Sequence, residues 1–181
     1  MNPPVAELIR AWHDFYTLIG TASATLVGLM FVAASIGATI FNDNNRAGME
    51  AFISPTVVHF SACLLMSLVF MVPSHTWWSL GLSLAAGGLI GLAYCGRVWL
   101  VMFVRRKFNV DLVDRLFYAL IPVLGYVLVL IAAAMAFMRT NAVAECIAAA
   151  LLVLLVAGIR NAWDMMMWIA IRSPNLGEPP R

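Results

Sequence analysis

Five long apolar stretches, separated by short polar breaks, organise the chain: about residues 12–41, 51–72, 77–104, 112–138 and 142–171. Crossing about 30 Å of hydrocarbon takes about 20 helical residues at about 1.5 Å each, and all five stretches exceed that length. The pattern therefore predicts an all-α, polytopic membrane bundle of five transmembrane helices forming one domain over residues 1–172. Its breaks have physical causes. Asn42 to Arg46 is a run of amides and charges, and Pro73 cannot continue a helix without losing a backbone hydrogen bond. The tail, residues 173–181, carries Pro174, Pro179, Pro180 and Gly177 and is expected to be irregular. The first stretch is too long for a signal-peptide core and follows no basic segment, so it reads as an uncleaved span.

Composition excludes the alternative of a water-soluble domain. The 181 residues are 63% hydrophobic and 11% charged, with a mean hydropathy of +0.92. Soluble domains run at about 45–50% apolar and about 25% charged. A net charge of +2 points to neither nucleic acid nor an acidic substrate. Cys63, Cys95 and Cys146 stand alone in apolar runs, with no metal-binding or redox spacing, and read as small core residues.

The placement of the few charges carries more than their number. With the N-terminus outside, Arg46, Arg97, Arg105, Arg106, Lys107, Arg115, Arg160, Arg172 and Arg181 fall on the cytoplasmic side, and only Arg10 and Arg139 fall outside. That bias predicts an N-out, C-in orientation. The tryptophans agree, with Trp12, Trp77 and Trp78 at an outer belt and Trp99, Trp163 and Trp168 at an inner one. Trp78 and Trp99 are separated by about 31 Å of helix, yet apolar sequence continues beyond Trp99. Each span has a similar surplus at its inner end, which implies either a cytoplasmic projection of about 10 Å or strongly tilted helices. Arg105, Arg106 and Lys107 are placed to meet anionic lipid.

A faint repeat relates spans two and three to spans four and five. Both pairs carry a proline near the start (Pro55, Pro122), a short outer turn and a Gly/Arg/Trp cluster on the return (Gly96-Arg97-Val98-Trp99; Gly158 to Trp163). One helix followed by two repeated hairpins is the arrangement this suggests.

Candidate functional residues lie in three places. Along the first span, Thr17, Gly20, Thr21, Ala24, Gly28 and Ser35 gather on one face, below His13 and Asp14 at the outer mouth. The stripe reads either as a packing seam, since Gly20-x-x-x-Ala24-x-x-x-Gly28 lets helix backbones approach, or as the lining of a pore. Gly81, Gly87, Gly88 and Gly91 in span three offer a partner surface for the seam. Near the inner interface, Arg97, Arg160, Asn161 and Asp164 form a candidate ionic cluster, read either as structural, with Asp164 pairing with Arg160 or Arg97, or as a gate or ligand contact. Third, His59 shares a face of span two with Thr56, Cys63 and Ser67, and reads as a hydrogen-bonded core residue before a metal or haem ligand.

Outside the interfacial layers to which Arg97 and Arg160 are assigned, no Asp, Glu, Lys or Arg occupies the middle third of any span, which argues against ion-coupled transport. No nucleophile–base, phosphate-loop or zinc motif is present, so no catalytic or metal residues, and no cofactor, are expected. The expectation is a non-enzymatic membrane protein acting through assembly, as a homo-oligomer or as an accessory subunit of a membrane complex. The alternative is a passive oligomeric channel for ions or small solutes, lined by the first helix. Trp12-His13-Asp14-Phe15-Tyr16 and Asn161-Ala162-Trp163-Asp164, with the small-residue span between, resemble a group of small uncharacterised bacterial integral membrane proteins. The resemblance implies a bacterial inner-membrane setting.

Overall fold

The computed structural model describes residues 5–40, 46–105 and 120–172. Among them the chain is all-helical, with five α-helices and no strand: α1 Val5–Ile40, α2 Arg46–Phe70, α3 Trp77–Arg105, α4 Ile121–Phe137 and α5 Val143–Arg172. Three helical segments are long and apolar enough to cross a membrane: His13–Ser35, Trp77–Leu100 and Val143–Asp164. The apolar segments Pro55–Phe70 and Ile121–Phe137 are shorter. Large apolar side chains face outward on every helix, among them Leu18, Leu65, Ile90, Leu124 and Val156. A soluble bundle would put polar residues there.

The helices pack in the spatial order α1, α2, α5, α4, α3, with smaller contacts of α1 with α5 and of α2 with α3. Side-chain pairings fix their directions. Tyr16 meets Phe70 at a ring separation of 4.1 Å, Gly20 lies against Ser67 and Met30 packs with Phe60, so α1 and α2 are antiparallel. Gly81, Gly88 and Gly91 receive Phe137, Leu130 and Tyr126 in descending order, which makes α3 and α4 antiparallel. Gly125 receives Leu154 of α5, and Gly158 receives Phe60 of α2. The core between them mixes large residues (Phe60, Phe70, Leu151, Leu154) with alanines (Ala132, Ala133, Ala136, Ala150). Apolar burial drives little association in lipid, so close backbone approach at such small residues is what brings helices together.

Several expectations change. The first helix begins at Val5, about two turns before the apolar stretch does, because Val5, Leu8 and Ile9 are buried in the core. The glycines of span three do not serve the first helix: Gly81, Gly88 and Gly91 accommodate α4, and Gly87 faces Met66 of α2. The two hairpins proposed as repeats pack unlike one another, since α4 and α5 share an extensive interface and α2 and α3 only a small one. The surplus inner ends are helical at residues 33–40, 47–54, 99–105 and 164–172, while residues 41, 106, 107 and 111–118 fall outside the described residues.

Both short turns are locked by backbone groups. Before α3, Thr76 and Ser79 cap reciprocally: the Thr76 N–H donates to Ser79 Oγ (2.9 Å) and the Ser79 N–H to Thr76 Oγ1 (3.2 Å). His75 Nε2–H donates to the Val69 carbonyl (2.8 Å), which ties the turn back to α2. After α4, Arg139 adopts a left-handed conformation, φ 56°. The Arg139 N–H donates to the Ala136 carbonyl and the Thr140 N–H to the Met135 carbonyl, at 3.0 and 3.1 Å, a Schellman closure usually made by glycine. Arg139→Gly sets relief of left-handed strain against glycine's entropy and the loss of the arginine's own interaction, so the unfolding free energy is expected to change by no more than about 1 kcal/mol. Denaturant titration of the purified protein checks this. A larger fall in stability would show that contacts of the arginine side chain outweigh the strain.

Candidate functional site

Among the described residues the small and hydroxylated stripe of α1 points away from the other helices, apart from Thr17, whose Oγ1 lies 3.7 Å from Met71 Sδ. From Tyr16 onward this helix buries Tyr16, Ile19, Ser23 and Met30, and the face opposite them carries Thr17, Thr21, Ala24, Gly28 and Ser35, all exposed. Gly20 is the exception: it is buried, and a Cβ there would lie 3.3 Å from Ser67 Cβ. The Gly20-x-x-x-Ala24-x-x-x-Gly28 run is thus divided, one glycine against α2 and the rest outward. A Cβ on Gly28 would meet nothing within 4 Å. Among the described residues no other helix packs on the stripe at Ala24, Gly28 or Ser35.

Two of its hydroxyls are satisfied locally. Thr17 and Ser35 donate to the carbonyls of His13 and Phe31, each at 2.8 Å, and Thr25, beside the stripe, donates to Thr21 at 2.9 Å. Hydroxyls bonded one turn back can face an apolar environment without leaving a donor unpaired. The two inward hydroxyls of the same region differ: Ser23 Oγ and Ser67 Oγ are buried and take no hydrogen bond among the described residues. Large apolar residues border the stripe, with Leu18 and Leu29 on one side and Phe31 on the other. At the outer end His13 and Asp14 are exposed, with Nδ1 and Oδ1 3.3 Å apart.

The inner cluster is brought together in part. Arg160 and Asp164 form an ion pair one turn apart on α5, and Asn161 is fully buried beside them. Arg97 is exposed on α3 and forms no ion pair among the described residues. Of Asp164's two oxygens, Oδ1 meets Arg160, and Oδ2 is buried without a hydrogen bond among the described residues. The basic run starts at the end of α3, where Arg105 is the last helical residue; Arg106 and Lys107 lie outside the described residues.

His59 is a hydrogen-bonded core residue: it is 1% exposed, and its Nδ1 shares a hydrogen bond of 3.1 Å with the Tyr126 hydroxyl. The ring of Tyr94 stands edge-on at 6.4 Å. Thr56, Cys63 and Ser67, on the same face of α2, are also buried. Sequence reasoning did not find Tyr126, which lies 67 residues away in a span without polar periodicity. Nor did it find the role of Tyr16, whose hydroxyl donates to the Ala144 carbonyl (2.8 Å) and joins α1 to α5. The signal for both is generic, since a tyrosine buried in an apolar helix must place its hydroxyl on a partner. The three cysteines are free thiols, with Cys63 and Cys95 buried and Cys146 half-buried. Among the described residues no three His, Cys, Asp or Glu side chains are grouped so as to hold a metal ion.

No protein family, curated protein or solved structure matches the chain.

Proposed function

We propose that the chain is a five-span membrane protein without catalytic activity that acts through assembly, as a homo-oligomer or as an accessory subunit of a membrane complex. The outward orientation of the α1 stripe carries this reading. A helix face meant for lipid alone gains nothing from a continuous run of glycine, alanine and threonine. Small residues are useful on an outward face where another helix approaches closely. The setting that fits is a bacterial inner membrane, with the N-terminus outside, the C-terminus in the cytoplasm and Arg105, Arg106 and Lys107 against anionic lipid.

A channel needs the same stripe to face water around a symmetry axis. The local hydrogen bonds of Thr17 and Ser35, and the bordering Leu18, Leu29 and Phe31, favour the dry seam. Gly28→Leu separates the two readings, because the open space at Gly28 lets the folded subunit take the side chain. The expected result is an unchanged thermal melt with association weakened about tenfold or more, measured by native mass spectrometry from mild detergent. An intact oligomer with altered conductance in planar bilayers would favour the channel. A wild-type protein that is monomeric and copurifies with no membrane protein would overturn the assembly reading.

A further inference from the structure

We infer that the partner of the α1 face is a second copy of this chain, lying parallel to the first, with Arg10 of each copy beside Asp14 of the other. The inference rests on the assembly reading and names the partner and the geometry. Ten positions from Thr17 to Ser35 are exposed, and six of them, Thr17, Thr21, Ala24, Gly28, Phe31 and Ser35, form a row that advances in steps of four, three, four, three and four residues, flanked by Leu18, Thr25, Leu29 and Val32. That is the spacing of a left-handed supercoiled seam, in which a 3.5-residue repeat keeps one face toward its neighbour. The same steps continued upward, of three and then four residues, reach Asp14 and Arg10, both exposed.

Charge selects the occupant. Asp14's side chain is fully exposed and lies 3.3 Å from His13 Nδ1, and neither Asp14 nor Arg10 pairs with an arginine, lysine or carboxylate among the described residues. In a parallel seam each knob sits in a hole bounded by its own layer and the layers on either side, so position 10 of one helix lies beside position 14 of the other. A cation and an anion one turn apart then satisfy each other twice across a two-fold axis, and a partner of different sequence would have to supply both charges. An antiparallel copy would bring them against Phe31 and Ser35 instead. Shape agrees at the other end of the seam, where Gly28 has nothing within 4 Å and Phe31, 66% exposed, is one step away. In parallel copies the ring of one fills the space over the glycine of the other.

The test is dimerisation of the full chain in phosphatidylethanolamine/phosphatidylglycerol vesicles, read by energy transfer between labelled copies. Arg10→Asp and Asp14→Arg are each expected to weaken dimerisation about three- to tenfold, and the double exchange R10D/D14R to restore it to within about twofold. Ala24→Cys should form a disulfide-linked dimer under mild oxidation, and Leu82→Cys on α3 should not. All these positions are exposed, and the thermal melt of each variant checks the fold. A double exchange as weak as the single variants, or charge reversals without effect while Gly28→Leu still dissociates the assembly, would overturn the parallel self-pairing and leave the assembly reading standing. A wild-type chain without energy transfer at any lipid dilution, and without a copurifying partner, would remove both.

Discussion

Gly91→Ala is expected to destabilise the folded protein by about 2–4 kcal/mol, although alanine is the better helix former. A Cβ at position 91 falls on the ring of Tyr126, overlapping Cδ1 and Cε1. The ring has nowhere to go: it is 1% exposed, and its hydroxyl is bonded to His59 at 3.1 Å. Relief requires separating α3 from α4 or breaking the His59 bond, and each is costly in an apolar interior. The neighbouring glycines grade the effect. At Gly88 the obstacle is the flexible Leu130 side chain, and at Gly81 it is Phe137, which is 36% exposed and can turn outward. Gly88→Ala and Gly81→Ala should therefore cost successively less, and Gly96→Ala, with nothing within 4 Å, should cost nothing. Unfolding of the purified variants by titration with denaturing detergent measures the series. If Gly91→Ala unfolds with Gly96→Ala, the packing of α3 on α4 is not as described.

The glycines also show where reading the sequence stops. Period and composition make a smooth face on α3 legible, but a smooth face fits any neighbour, and the first helix was the wrong one to choose. The same ambiguity holds for α1. In water the apolar side of a helix is the inner side; in lipid both sides are apolar, so the periodicity that located the stripe could not say which way it faced. Tyr16, Ser23 and Met30 inside, with Thr21 and Gly28 outside, is a result of packing against α2 and α5. The Arg160–Asp164 pair was legible because it is local, one turn on one helix. The start of α1 was not, because Val5, Leu8 and Ile9 are helical through burial against other helices, and the hydropathy of the segment carries no trace of that.

Nonlocal polar contacts are the least legible class, and the bond between His59 and Tyr126 gives the second large expected effect. Tyr126→Phe removes one hydroxyl and leaves the imidazole Nδ1 without that partner in the interior; His59→Leu leaves the tyrosine hydroxyl in the same position. Each should cost about 1–3 kcal/mol, because a buried polar group that loses its partner retains its full desolvation penalty. Removing both leaves no orphan, so the double variant should be more stable than the sum of the single losses implies, by about 1 kcal/mol. The cycle separates the hydrogen bond from the packing of the two rings, whose centres lie 5.8 Å apart and whose loss the single variants also contain. Detergent unfolding of the four proteins supplies the coupling. Strict additivity would mean that the 3.1 Å contact contributes no net stability and that His59 is held by its surroundings. The histidine would then need another explanation for its position deep between α2, α3 and α4, and a ligand would become the one to test.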